Sequence, residues 1–193
     1  MQKLMLLAVV GLLSLPLMAQ ESTKSELFGG YQYLRFGSTT TNGVSSTAEA
    51  FNGWNGSVTY NFSKYVGAVG DVGGGYATIN GVSTHVYTLT GGPVVSPGTE
   101  RTISPFAHAL FGLARVTTSQ SVQGVTSSAS NNGFAVMVGG GMDARITKAI
   151  SVRLIQADWL YYRFGQIAGN GPFSQSNNLR LSIGIVYRFV PFS

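Results

Sequence analysis

Seven polar side chains are the strongest candidates for chemistry in this sequence, because they interrupt segments that are otherwise largely apolar. They include carboxylates, arginines and a histidine, the residue types that form buried ion pairs or act in acid–base catalysis. The seven residues are Asp71, His108, Asp143, Gln156, Asp158, Arg180 and Arg188. A catalytic site and a structural network are the two interpretations to separate.

A hydrolytic site needs a nucleophile, an adjacent base and an orienting carboxylate within reach of one another. The chain has two histidines, His85 and His108, and no Gly-x-Ser-x-Gly or His-x-Ser sequence. His85 falls in or beside a predicted loop, whereas His108 lies in the strand-like segment PFAHALFG, which Ser104 precedes. We interpret His108 as a member of a polar network and predict no catalytic residue and no enzymatic activity.

Metal, redox and nucleic-acid functions have little support in the composition. The chain has no cysteine, which excludes cysteine-based redox and metal sites, and its two histidines and scattered acids lack metal-ligand spacing. The formal net charge of +5 is not gathered into a basic cluster or stripe, so we expect no nucleic-acid partner. The sequence predicts neither a metal nor a cofactor.

The N-terminus is typical of a secretory signal peptide. One basic residue, Lys3, precedes an apolar run that leads to the small residue Ala19. Pro16 interrupts this run, which is too short and wrongly flanked for a spanning helix, so a retained anchor helix is the less favoured alternative. We predict cleavage after Ala19, with a signal peptide over 1–19 and a single domain over 20–193.

Apolar and polar residues alternate through the rest of the chain in eight blocks separated by Gly, Ser, Thr and Asn. The blocks cover about 26–36, 50–62, 65–77, 86–94, 104–116, 133–146, 150–164 and 178–189. Period-two alternation predicts β-strands. Only 10% of the residues are charged, which is too few for an ordinary soluble surface. We therefore expect the apolar side of each strand to face lipid and the polar side to face the interior of a barrel.

The seventh block allows two registers, because Arg153 and Asp158 are five residues apart and cannot share a face in an unbroken strand. The preferred register points Ile155, Ala157, Trp159 and Tyr161 outward and Leu154, Gln156 and Asp158 inward. It leaves Arg153 near the membrane edge, where its side chain can snorkel. A β-bulge in this strand is the alternative.

The connections and the aromatic residues both indicate a membrane barrel. Short turns at 63–64 and 147–149, and a longer one at 95–103, alternate with a medium loop at 78–85 and long polar loops at 37–49, 117–132 and 165–177. Outer-membrane barrels have short periplasmic turns and longer extracellular loops. Eight aromatic residues fall near predicted strand ends, which is typical of the two interfaces of a membrane. They are Trp54, Tyr60, Phe62, Tyr76, Trp159, Tyr161, Tyr187 and Phe189.

Four segments carry a family resemblance: FGGYQYLRF, YNFSKYVGAVGD, GGGMD and IGIVYRF. With the alternation over 20–193, they resemble the small bacterial outer-membrane β-barrel family related to the OmpA membrane domain and the opacity-type porin-like proteins. This resemblance implies an all-β, eight-stranded antiparallel up-and-down transmembrane β-barrel in the bacterial outer membrane, surrounded by its lipid. It also implies that the barrel-assembly machinery reads the last strand through Tyr187 and Phe189, although 190–193 displace the usual terminal Phe.

The sequence favours a non-enzymatic outer-membrane protein that contributes to envelope integrity or surface interaction. Eight strands enclose a space that side chains can fill, so the seven polar residues are interpreted as a salt-bridge network that plugs the lumen. A narrow porin-like pathway for water, ions or small solutes would use the same residues. A soluble secreted barrel would instead turn the apolar stripe from Leu179 to Phe189 inward, around an apolar ligand. The sequence does not identify a partner for the polar loops.

Overall fold

Ten β-strands form in the described part of the chain, and eight of them close into one antiparallel barrel in this computed structural model. The structure describes residues 25–37, 39–41, 44–46, 48–79, 81–97, 101–122, 125–167 and 170–189. The predicted signal peptide, 1–19, lies outside these residues. Among them, no helix is long and apolar enough to cross a membrane.

Each barrel strand pairs with the next barrel strand in sequence, and the first pairs with the last to close the sheet. The barrel strands are β1 (Ser25–Phe36), β4 (Glu49–Asn61), β5 (Val66–Ile79), β6 (Val82–Val95), β7 (Ile103–Val122), β8 (Val125–Arg145), β9 (Ile150–Ile167) and β10 (Asn170–Arg188). Two short strands, β2 (Thr39–Thr41) and β3 (Val44–Ser46), form a separate hairpin between β1 and β4. The predicted eight-stranded up-and-down barrel is confirmed.

The alternation in β10 shows which side of the sheet lies inside. Leu179, Ile183 and Ile185 are 42%, 54% and 59% exposed, whereas Arg180 and Ser182 are each 1% exposed. The apolar stripe therefore forms part of the outer wall, and the polar side faces the lumen. The soluble alternative, with this stripe turned inward, is wrong.

A β-bulge changes the register of β9 from the preferred prediction. Ile155 pairs with Met142 on β8, but the next pair is Arg153 with Asp143, so Leu154 is an extra residue. Leu154 and Ile155 are both exposed, and Arg153 is buried. The preferred register is correct for Ile155, Gln156, Ala157, Asp158 and Trp159, but its placement of Leu154 inward and Arg153 at the membrane edge is wrong, and the bulge is the correct alternative there. The extra residue turns Arg153 into the lumen, where it pairs with Asp143.

Several segments predicted as loops are instead strands. Most of 117–132 forms a paired ribbon at the end of β7 and the start of β8, and most of 165–177 belongs to β9 and β10. Most of the predicted loop at 78–85 also belongs to strands, β5 and β6, which a tight turn connects. Gly81 in this turn has φ of 80°, and His85 lies within β6. The extended segments of β7 to β10 lack a marked apolar face because they continue past the length that lipid covers, about 9–11 residues.

The two ends of the barrel differ. At one end, called the turn end below, the connections are 62–65, 96–102 and 146–149, and β1 begins beside the end of β10. At the other, called the hairpin end, the long β7–β8 and β9–β10 hairpins extend past the other strands. The predicted asymmetry between short and long connections is therefore present, although the long ones are mainly paired strands.

Candidate functional site: the barrel interior

Strand pairing places three polar side chains in one row across the barrel wall. Arg180 on β10 pairs with Asp158 on β9. Gly139 on β8 lies between Asp158 and His108 on β7, and it pairs with both residues. A Cβ at Gly139 would collide with the Asp158 carboxylate. The glycine therefore leaves the space through which Asp158 reaches across β8 to His108.

Asp158 is the centre of a buried hydrogen-bond network. Its Oδ1 lies 2.7 Å from Nε2 of His108, and its Oδ2 accepts from Nε of Arg180 at 2.8 Å. Oδ2 also accepts from Nε2 of Gln156 at 2.7 Å. Arg180 donates to both oxygens of Asp71, at 2.6 and 3.2 Å. Because β5 and β10 are not neighbours in the sheet, the Arg180–Asp71 ion pair crosses the lumen.

Arg153 forms the centre of a second cluster, nearer the turn end. Its Nε and Nη2 donate to the two oxygens of Asp143 at 2.8 and 3.1 Å, and its Nη1 donates to Oε1 of Gln156 at 2.7 Å. The guanidinium lies 4.2 Å from the ring centroids of both Phe28 and Phe106. Both aromatic faces stabilise this buried cation. Gln156 connects this cluster to the one around Asp158.

A third group lies where β1 begins and β10 ends. Arg188 Nε is 3.4 Å from Oε1 of Glu26, and Arg188 also donates to Oγ of Ser151. Asn61 donates to the same Glu26 oxygen at 3.2 Å. Each buried charge in this group therefore has a hydrogen-bond partner, which offsets the unfavourable desolvation of burying it.

All seven predicted lumen residues lie inside the barrel and are at most 8% exposed. Six of them belong to the two joined clusters around Asp158 and Arg153, and Arg188 lies in the third group. Glu26, Phe28 and Arg153 also face the lumen but were not predicted from the sequence as lumen residues. Alternation in the first block places Glu26 and Phe28 on one face and could have identified them, whereas Arg153 required recognition of the bulge.

The lumen changes character along its axis. Toward the hairpin end, a set of buried apolar side chains, here called the apolar plug, belongs to one hydrophobic cluster. It consists of Leu34, Phe51, Leu110, Met137, Leu160 and Tyr162, each at most 3% exposed. Toward the turn end lies a polar cavity of about 500 Å³, counted with its open mouth. Its lining includes Glu26, Asp71, His108, Asp143, Arg153 and Arg188. The described residues contain no cluster of acids and histidines that could hold a metal ion.

The eight predicted interface aromatics lie on the outer wall in two groups. Tyr161 is half-buried, and the other seven are 38% to 63% exposed. Toward the hairpin end, Nε1 of Trp54 donates to the hydroxyl of Tyr76 at 3.1 Å. At the turn end, the ring centroids of Tyr187 and Phe189 are 5.1 Å apart. Exposed apolar side chains, such as Ile183, lie on the outer wall between the two groups.

Comparison with known proteins supports the same architecture. The family described as outer membrane protein beta-barrel domain matches residues 5–189. Ail, the attachment invasion locus protein of Yersinia pestis, has a similar structure, with a TM-score of 0.59 and 18% identity over 87% of this chain and 99% of Ail. Neisserial surface protein A has a TM-score of 0.60 and 13% identity over 87% of this chain and all of that one.

Outer membrane protein OprG from Pseudomonas aeruginosa has a TM-score of 0.55 and 12% identity over 87% of this chain and 96% of that chain. At these identities the structural likeness concerns the fold alone. No curated protein sequence matches the chain. The apolar outer wall, the closed strand order and the match over most of the chain together show that this protein belongs to the outer membrane protein beta-barrel domain family and resides in the bacterial outer membrane.

Proposed function

We propose that this outer-membrane protein is a closed, non-enzymatic barrel that supports envelope integrity and presents its hairpin end for surface interaction. The observation that carries this proposal is the double obstruction of the lumen. The ion pair between Arg180 and Asp71 crosses the interior, and the apolar plug follows it toward the hairpin end. Outer-membrane barrels place their longer connections outside the cell, so the plug lies on the extracellular side.

The two obstructions oppose permeation for different reasons. An ion in the lumen would have to displace hydrogen bonds that hold Asp158 and Arg180, both at most 1% exposed. It would then meet Leu110, Met137 and Leu160, which occupy paired positions on adjacent strands. Transfer of an ion into such an apolar region without compensating partners is very unfavourable. A narrow channel would need both barriers to open together.

The arrangement around His108 supports a structural rather than a catalytic role. Its Nε2 is hydrogen-bonded to Asp158, within the network that also includes Arg180. The hydroxyl of Ser104 on the same strand donates to the carbonyl of Arg101. Ser104 and His108 are four positions apart on one strand, a distance of about 13 Å between their Cα atoms. A serine at that distance is not positioned as a nucleophile for this imidazole.

The β7–β8 hairpin supports the proposed surface role. β7 and β8 contain 20 and 21 residues, about twice the 9–11 that cross a membrane. The outer part of this ribbon carries exposed hydroxyl and amide side chains, such as Ser127, Ser128 and Asn132. These groups can donate and accept hydrogen bonds toward an external partner.

The exposed aromatics at the end of β10, Tyr187 and Phe189, support recognition of this strand by the barrel-assembly machinery.

Conductance in planar bilayers tests the closed state. We expect the purified protein to give no stable current steps, because the network and the plug block the same lumen. The variant Leu110→Ala/Leu160→Ala/Arg180→Ala removes two plug side chains and the arginine of the ion pair that crosses the lumen. It opens both barriers and serves as the matched comparison, with an expected increase in current. Heat-modifiable migration on a denaturing gel verifies that both proteins are folded. Regular unitary currents from the wild type would support the narrow-channel alternative and contradict the proposal.

Complementation separates the two proposed roles. In a strain that lacks the protein, the full chain should restore both resistance to detergent and adhesion to surfaces. A variant in which a two-residue turn replaces 118–129 keeps every residue of the lumen network and should restore only the detergent resistance. Full adhesion by the shortened protein would contradict a role for this hairpin in surface interaction. Unchanged detergent sensitivity of the deletion strain would contradict a role in envelope integrity.

A further inference from the structure

Two connections at the turn end have the same hydrogen-bond pattern. In the turn 62–65, the amides of Phe62 and Ser63 both donate to the carbonyl of Val66 at 3.0 Å. The Ser63 hydroxyl accepts from the amide of Val66 at 3.1 Å. These bonds hold the turn in one shape and leave Lys64 at its exposed tip.

The turn 146–149 repeats this arrangement. The amides of Ile146 and Thr147 donate to the carbonyl of Ile150 at 3.0 and 2.9 Å, and the Thr147 hydroxyl accepts from the amide of Ile150 at 3.0 Å. Lys148 stands at the exposed tip, in the position that Lys64 occupies in the first turn. Both turns therefore present an apolar residue, a hydroxyl residue and a lysine in that order.

Each lysine is close in sequence to a strongly exposed apolar side chain. Phe62 is 63% exposed and Ile146 is 65% exposed. Tyr65, which is 58% exposed, lies with its ring centroid 6.0 Å from Nζ of Lys64. An apolar group beside a long cationic side chain fits the boundary between acyl chains and headgroups, where lysine extends its charge toward the polar side.

The carboxylates nearest these turns among the described residues point into the barrel. Glu26 is 7% exposed and paired with Arg188, and Asp143 is 4% exposed and paired with Arg153. In the connection between β6 and β7, Arg101 is a further exposed cation, and Glu100 precedes it in the sequence. Among the described residues of this rim, the exposed charges are the cations Lys64, Arg101 and Lys148, whereas Glu26 and Asp143 are paired inside the lumen.

The positions of the two lysine turns distinguish between kinds of anionic partner. One turn joins β4 to β5 and the other joins β8 to β9, and four strand positions separate them in the closed eight-stranded order. They therefore lie on opposite sides of the barrel. A single compact anion cannot contact both turns, whereas a lipid leaflet surrounds the barrel and meets both. Short turns of outer-membrane barrels face the periplasm, which identifies the leaflet.

We propose that Lys64 and Lys148 bind phosphate groups of anionic phospholipids in the periplasmic leaflet, with Phe62 and Ile146 inserted at the acyl-chain boundary beside them. Basic residues near a membrane surface are attracted to anionic headgroups. This inference rests on membership of the outer-membrane barrel family and is independent of whether the lumen conducts. The partner is the phospholipid phosphate itself, in a layer around the protein.

The relative association of spin-labelled phosphatidylglycerol and phosphatidylcholine with the protein in phosphatidylcholine bilayers tests this proposal. We expect the wild type to prefer phosphatidylglycerol and this preference to weaken at high salt. The double variant Lys64→Gln/Lys148→Gln should lower the preference by about twofold or more. The matched variant Lys64→Arg/Lys148→Arg keeps both charges and should retain it.

Two results would overturn the proposal. One is an equal preference for phosphatidylglycerol in the wild type and the glutamine variant. The other is loss of the preference in the arginine variant, which would assign the effect to a change in turn structure rather than to charge. Heat-modifiable migration establishes that each variant is folded before its lipid preference is measured, and planar-bilayer currents do not enter the comparison.

Discussion

Arg180→Leu is expected to lower the free energy of unfolding by about 3–5 kcal/mol, the range observed when one partner of a buried ion pair is removed. Arg180 is 1% exposed and pairs with both Asp71 and Asp158, which are themselves 2% and 0% exposed. The substitution removes the guanidinium from two buried carboxylates at once. Reversible unfolding in guanidinium chloride, with the protein reconstituted in lipid vesicles, measures this change.

A double-mutant cycle separates two contributions to the loss of stability: the loss of the ion pair itself and the unfavourable free energy of leaving a buried carboxylate without its partner. Asp71→Leu/Arg180→Leu removes the charge on both sides, so it should destabilise the barrel less than the sum of the two single variants. Gln156 and His108 continue to bond Asp158 in this variant. A loss below about 1 kcal/mol for Arg180→Leu alone would place this residue among weak surface ion pairs and contradict a buried network.

Ile183→Arg is expected to lower the free energy of unfolding by about 2–4 kcal/mol, the effect of an arginine on the lipid face near the middle of the bilayer. Ile183 is 54% exposed on the outer wall and pairs with the equally outward Tyr31 on β1. Its position is midway between the aromatic group at the end of β10 and Leu179. Lipid in this region cannot solvate the guanidinium as water does.

The adjacent residue supplies the control. Ser182 is 1% exposed and faces the lumen, so Ser182→Thr adds one methyl group to the polar side and should have a mild effect. The same guanidinium titration in lipid vesicles applies to both variants. Similar losses for Ile183→Arg and Ser182→Thr would contradict the assignment of the two faces, because only the outward position requires a charge to enter lipid.

The predictability of each part of this fold depends on what surrounds it. Where lipid lies outside and a polar network inside, as in β10, each residue has one allowed environment, and the alternation identified both faces. The polar ribbon of β7 and β8 stands beyond the lipid. Serine, threonine and asparagine are compatible there with either a strand or a loop, so the sequence predicted a loop over 117–132.

The sequence predicted seven of the residues that face the lumen, but not which of them form hydrogen bonds and ion pairs with one another. Alternation places Asp71, Asp158 and Arg180 inside, but it does not determine which strands face one another across the lumen. The bulge at Leu154 adds a residue that the spacing of Arg153 and Asp158 only suggested. The need for glycine at position 139 could not be recognised from the sequence of β8 alone, because the space that this glycine leaves is occupied by the Asp158 side chain from β9.

The ion pair between Arg180 and Asp71 also constrains the order in which the protein assembles. The two residues are 109 positions apart, and they approach each other only when the sheet curls and β1 meets β10. Before that step, the Asp71 carboxylate must remain hydrated, because Arg180 has not yet reached it and lipid cannot solvate the charge. The nascent sheet must therefore keep its concave face in water until it closes. The ion pair therefore forms late in assembly. Only a completely closed barrel can exclude water from its centre without leaving unpaired charges there.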